Sequence, residues 1–400
     1  MSSTYDKTFL HFQQTCADSV YTVFSEFHHS HIKPPQDVSK SFSFHLSEEC
    51  FLIGYGICDG HGIRGEHIAA FAIERILAHF RAKTITYTRL TQAEVNDDIT
   101  MLFETIQEEI ETARMTGGST CSVVWSVIWA DGRATVVNVA NVGDSPVFAI
   151  TSTGVVTRLT VDHSPTNKDE VERLMKNPGS LLSVYTGKYS TNHRSPPVFR
   201  QVERDGVIHL ELDTETPVAL GLKKSTRSGE YGTYFVNPQN VYIPTCIAMG
   251  RSLGNNNLRC MGMISTPDLR SFPVASDAQM CIFGCSDGWM DANDEKDIGD
   301  IVRGIMSSST TTEEATTALV AQGFQAAIAW QKELTRGIVH DGHLYQDGFE
   351  YTLEQVHCGW DDITCACMNF GMLSAPREAS VEVSLVVTDG EVVVSLAALP

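Results

Sequence analysis

Short apolar runs that each meet an aspartate at one end recur along this 400-residue chain, a pattern that suits a fold in which several strands end together. Residues 51–58 (FLIGYGIC) lead into Asp59-Gly60-His61-Gly62, residues 134–142 (ATVVNVANV) into Gly143-Asp144-Ser145, and residues 280–285 (MCIFGC) into Ser286-Asp287-Gly288. Asp361 precedes the apolar run 363–370, and Asp37 precedes the strand-like 41–45. Such runs, bounded by glycine and turn residues, read as buried strands. One aspartate beside a glycine is also ordinary turn chemistry. Five at strand ends can gather at one edge if the strands lie side by side.

Gathered carboxylates repel, and desolvating them is costly unless cations sit between them. An all-oxygen set without cysteine or an obligatory histidine selects Mg²⁺ or Mn²⁺ over zinc. Two such ions about 4 Å apart, sharing a carboxylate, lower the pKa of a bridging water and clamp a phosphoryl group. The glycines around Asp59 let the backbone approach closely and leave carbonyls free to join an ion.

The remaining pattern is mixed. Ile68, Ala72, Ile76 and Phe80 recur at helical spacing after Gly62, and a second helical pattern spans 95–114 before Gly117-Gly118. Residues 121–130 and 134–142 flank Asp131-Gly132 as a hairpin, and 146–150 is a further strand. A short helix is expected at 169–174, and longer ones at 294–306 and 312–335. A terminal hairpin is expected at 381–396 around Asp389-Gly390. Residues 177–245, rich in Ser, Thr, Gly and Pro, read as a surface excursion with short strands of its own. The expected division is an N-terminal extension at 1–30, a main domain at 31–370 containing that excursion, and a C-terminal hairpin extension at 371–400.

A net charge of −20 argues against a nucleic-acid or anionic-membrane surface. No apolar stretch reaches the roughly 18 residues that span a bilayer. The start, MSSTYDK, reads as neither a signal peptide nor a myristoylation site. The 11 cysteines include no C-x-x-C pair and read as free thiols in a reducing compartment. A monomer that is cytoplasmic, or both cytoplasmic and nuclear, is the expectation. His357-Cys358 does not make a cysteine phosphatase, because position 364, where a phosphate-cradling Arg is needed, is Thr. The His-rich segments 27–31 and 340–343 each lack a partnered second cluster and read as solvated loops.

Taken in order, these segments resemble the PP2C (PPM) family of metal-dependent serine/threonine protein phosphatases. Gln36-Asp37, residues 55–62 (YGICDGHG), Gly118-Ser119-Thr120 and residues 139–145 (VANVGDS) follow the family's sequence. Residues 159–165 (LTVDHSP) with Glu170 and Arg173, then 249–254 (MGRSLG), 285–291 (CSDGWMD) and 360–364 (WDDIT) complete the set. The resemblance implies an α+β fold, a four-layer α-β-β-α sandwich of two antiparallel sheets flanked by helices. It implies a binuclear Mg²⁺ or Mn²⁺ centre that hydrolyses phosphoserine and phosphothreonine in protein substrates through a bridging water. Asp59 would bridge both metals, joined by the Gly60 carbonyl. Asp287 and Asp361 would hold the first metal, Asp37 would help hold the second, and Asp144 with Asp287 would form a weaker third site. His61 would protonate the leaving oxygen. The chain departs from the family at Gln36, Pro146, Asn255 and Asp362, and lacks the family's phosphate-binding Arg, near which Lys33 stands. The rival reading is a catalytically weak scaffold that binds partner proteins.

Overall fold

The computed structural model describes residues 12–16, 19–28, 36–47, 50–83, 90–129, 135–177, 179–185, 195–222, 231–238, 246–275, 278–335, 339–340, 343–346, 349–352, 362–371, 381–388 and 391–398. Lys33, Asp361 and both expected hairpin turns lie outside these residues.

Strand Cys50–His61 is apolar on both faces, and its period of two divides the burden. Phe51, Ile53, Tyr55 and Ile57 meet Val147, Ala149, Ile282, Ala366 and Met368 of a second sheet. Leu52 and Cys58 face the other way, into a cluster built by two helices. The first sheet runs Leu253–Gly254, Gly118–Ser119, Cys50–His61, Cys121–Trp129, Thr135–Val142 and Asp268–Val274, with Asp37–Ser47 also paired to Cys50–His61. The second runs Phe12–Cys16, Ser19–His28, Ile363–Phe370, Met280–Cys285, Val147–Thr151 and Val156–Arg158. Every strand pair in these two sheets is antiparallel.

Helices Gly65–Ala82 and Gln92–Thr112 bring Ile68, Ile76, Phe80, Ile99, Phe103 and Ile110 onto the first sheet. Thr91 and Glu94 form a capping box that fixes where the second helix starts. Helices Ile298–Ser308 and Thr312–Thr335 pack Val302, Met306, Leu319 and Val320 with Phe148, Phe283 and Cys365 of the second sheet. Trp289, fully buried among them, donates its indole N–H to Leu319 O at 3.0 Å. Replacing it with Ala is expected to cost about 3–5 kcal/mol. It lies two residues after Asp287, so this packing also anchors a candidate ligand.

The excursion has a core of its own. Strands Leu182–Tyr185, Thr233–Val236 and Cys246–Ile247 form a small sheet, and Phe199–Arg204 pairs with Val207–Leu212. Helix Lys168–Met175 contributes Val171 and Leu174 to the same cluster.

Several expectations shift. Helix 294–306 is Ile298–Ser308, preceded by one tight turn at Glu295–Asp297. Asp287 opens the short helix Asp287–Ala292, which the sequence reading did not include. Asp268–Val274 is a strand that the sequence reading passed over, because Pro273 argues against one. It lies at the sheet edge, where proline's missing N–H costs little. Strand Ser19–His28, within the expected N-terminal extension, pairs along its length up to Tyr21 with Ile363–Phe370. The terminal hairpin is present as Val381–Thr388 paired with Glu391–Ala398.

Candidate active site

Strand Cys50–His61 continues through the motif where a break was expected. Gly60 pairs with Ser119 and His61 with Gly118, while Asp59 stands opposite Asp37 on the other neighbour. Its backbone is held on both sides. Thr120 N–H donates to Asp59 O at 2.9 Å, and Asp59 N–H donates to Thr120 Oγ1 at 3.1 Å. Thr120 Oγ1 in turn lies 2.7 Å from Ser145 Oγ, one residue after Asp144. The segments carrying Asp59 and Asp144 are therefore coupled through two buried hydroxyls.

Gly60 N–H donates to Gln36 O at 3.1 Å, and Gln36 N–H donates to Asp362 Oδ2 at 2.8 Å. A Cβ on Gly60 would fall 2.5 Å from Gln36 O, so only glycine fits here. Asp37, buried, receives the Thr364 hydroxyl on Oδ2 at 2.7 Å. Gln36, Asp37, Asp59 and Gly60 are thus drawn against the start of strand Ile363–Phe370. Asp361 itself lies outside the described residues.

Asp144 and Asp287 form the other part of the site. Burial pushes the Asp144 carboxyl well above its ordinary value, and repulsion from Asp287, Asp162 and Asp291 adds to this. Asp144 Oδ1 is buried without a hydrogen-bond partner among the described residues. A protein gains nothing from crowding acidic groups this way unless a cation or proton relieves them. Among the described residues no three His, Cys, Asp or Glu side chains already form a metal-holding group. The donors that are present, aspartate oxygens beside a glycine backbone, fit a hard divalent ion such as Mg²⁺ or Mn²⁺.

His61 Nε2 lies 2.6 Å from the Asn255 side-chain nitrogen. Burial lowers the imidazole to about 4, partly offset by the Asp59 backbone carbonyl, so the ring is neutral near pH 7. Enclosure by the fold outweighs the nearby carbonyl. The sequence reading noted Asn255 only as a departure and gave Thr364 no role. Both make contacts across long sequence separations, which no local signal marks.

In fold, the chain is similar to solved PP2C phosphatases. The family model described as protein phosphatase 2C matches residues 28–191. The serine-threonine phosphatase 2C of Toxoplasma gondii superposes with a TM-score of 0.53 at 16% identity, covering 90% of this chain and 98% of that one. A phosphatase from a pathogenic strain of Toxoplasma gondii gives 0.52 at 14% identity, covering 95% and 97%. At such identities the likeness is one of fold. No curated protein matches this chain in sequence.

Proposed function

We propose that this protein hydrolyses phosphoserine and phosphothreonine in protein substrates with the help of divalent cations. The single observation that carries the reading is the crowding of Asp144 against Asp287 in a buried setting, on the fold where residues 28–191 match PP2C. The packing of helices on the outer face of each sheet supports the four-layer α-β-β-α arrangement.

Asp59 would hold both of two ions, with the Gly60 carbonyl and Asp37 on one side and Asp287 with Asp361 on the other. Asp144 with Asp287 would make a weaker third site. When bound, Mg²⁺ or Mn²⁺ supplies Lewis acidity toward phosphoryl oxygens and an activated water. Thr364 orients the Asp37 carboxylate, and Thr120 with Ser145 fixes the backbone that carries Asp59. His61 presents a ring N–H to the leaving seryl or threonyl oxygen, the role of a hydrogen-bonding acid. Lys33, three residues before Gln36, is the positive charge the sequence offers for the substrate phosphate; it binds as a point charge without the bidentate fork of an arginine.

A second reading draws on the exposed apolar residues Val207, Ile208, Leu212, Val218 and Leu220 of the excursion, a surface suited to holding a partner protein. The two separate on one assay. Metal-stripped protein resupplied with Mn²⁺ is expected to release phosphate from a phosphothreonine peptide and to stop on addition of EDTA. Absence of turnover at any Mn²⁺ concentration would leave the scaffold reading standing.

A further inference from the structure

Helix Lys168–Met175 and the small sheet of the excursion bury Val171, Leu174, Leu181 and Phe235 in one cluster, yet the cluster does not close. The hairpin of Phe199–Arg204 and Val207–Leu212 brings Phe199, and Gln201 opposite Leu210, to the same place. Between these elements lies a cavity of about 500 Å³. Its deep wall is the buried cluster, while Met175 and Leu182, each 53% exposed, mark its mouth. Atoms that face such a space lack partners on one side and forgo the contacts of a filled core. Its size is in the range that encloses a small ligand.

The lining selects the class of occupant. Among the described residues that line the cavity none is charged, in a chain where 20% are. A charged ligand would lose its water there with nothing to pair with. Ser183, Ser195, Gln201 and Asn237 supply the polar side chains, all neutral, so a hydroxyl, carbonyl or N–H on the ligand can be met. An extended peptide is served less well. Leu182–Tyr185 pairs with Thr233–Val236 on one side. On the other, Tyr185 N–H donates to Pro196 O at 2.8 Å and Val198 N–H donates to Ser183 O at 3.4 Å. Both edges of this wall strand are therefore taken, and a peptide backbone cannot join it as a further strand. The exposed Val207, Ile208, Leu212, Val218 and Leu220 lie outside the lining, so the cavity is distinct from that outer surface.

We propose that this cavity is a binding site for an uncharged, largely apolar small molecule that carries one hydrogen-bonding group. The site stands whether or not the protein hydrolyses phosphate esters.

The test uses N-phenyl-1-naphthylamine, a neutral two-part aromatic with one N–H, as a fluorescent probe of the full chain. It is titrated in about 0.5 M NaCl, where the net charge of the protein is screened. Wild type is expected to give a saturable signal for one site, with a Kd of about 10–100 μM. The sulfonated counterpart, 1-anilinonaphthalene-8-sulfonate, is expected to bind about tenfold more weakly or worse. Ser183→Phe, which fills the space, and Leu182→Glu, which sets a charge at the half-exposed mouth, are each expected to weaken the neutral probe about tenfold or more. Ile208→Glu, on the outer surface, is expected to bind as wild type does. Melting temperatures establish that each variant is folded, and Leu182→Glu decides the question if Ser183→Phe does not fold. A signal that never saturates, equal affinity for the sulfonate, wild-type binding in the folded cavity variants, or an equal loss in Ile208→Glu would overturn the site.

Discussion

Asp37 and Asp59 stand opposite each other on paired strands of the first sheet, and Thr364 of the second sheet donates its hydroxyl to Asp37 Oδ2 at 2.7 Å. One hydrogen bond thus sets the orientation of a candidate ligand from across the sheet packing. Thr364→Val keeps the shape and removes the donor. It is expected to weaken the apparent Mn²⁺ affinity by about 10–100-fold with little change in fold, read from the metal dependence of turnover. Unchanged half-saturation would show that Asp37 needs no such support.

Burial, then repulsion from Asp287, raises the Asp144 carboxyl. A folded-state value above the unfolded one means that the metal-free protein loses stability as pH rises from the ordinary aspartate range through the raised value. Asp144→Asn removes that loss. In EDTA the variant is expected to melt higher than wild type at pH 7.5, by about 1 kcal/mol in stability, and the gap should narrow as the pH falls toward 4. A variant that melts lower at pH 7.5 would contradict the crowding.

Gly118 leaves the room in which His61 and Asn255 meet. Gly118→Ala is expected to displace the ring and lower kcat about 100-fold, with an unaltered circular dichroism spectrum. Wild-type kcat in this variant would show that the ring's position is unimportant.

Glu170 is buried beneath two guanidinium groups, receiving Arg251 Nε at 2.8 Å and Arg173 Nη2 at 2.8 Å. Burial alone would raise its carboxyl, but the hydrogen bonds from Arg251 and Arg173 prevail and hold it below its usual value. Its stabilisation is therefore present above the ordinary glutamate range and is lost as pH falls through the lowered value. Glu170→Gln is expected to cost about 3–5 kcal/mol at pH 7, with the difference shrinking in acid, as followed by urea unfolding. The loss should loosen the segment that leads from Arg251 to Asn255.

The strand and helix around Asp59 were legible because each carries its own period: two in residues 51–58, and near four from Ile68 to Phe80. The placing of Asp37, Asp59, Asp144 and Asp287 at or just beyond strand ends followed from the same runs. What stayed hidden lies in partners distant along the chain. Thr364 reaches Asp37 across 327 residues, and Asn255 reaches His61 across 194. Edge strand Asp268–Val274 was masked by Pro273, whose penalty vanishes only once its place at the sheet edge is known. The environment of His61 was also unreadable, since its lowered pKa comes from enclosure by the fold.

The most direct test is phosphate release from a phosphothreonine peptide while Mn²⁺ is titrated into metal-stripped protein, with wild type and Asp59→Asn side by side. Saturable turnover is expected in wild type, with a loss of about 100-fold or more in the variant. Turnover without metal, or equal turnover in both proteins, would contradict the account.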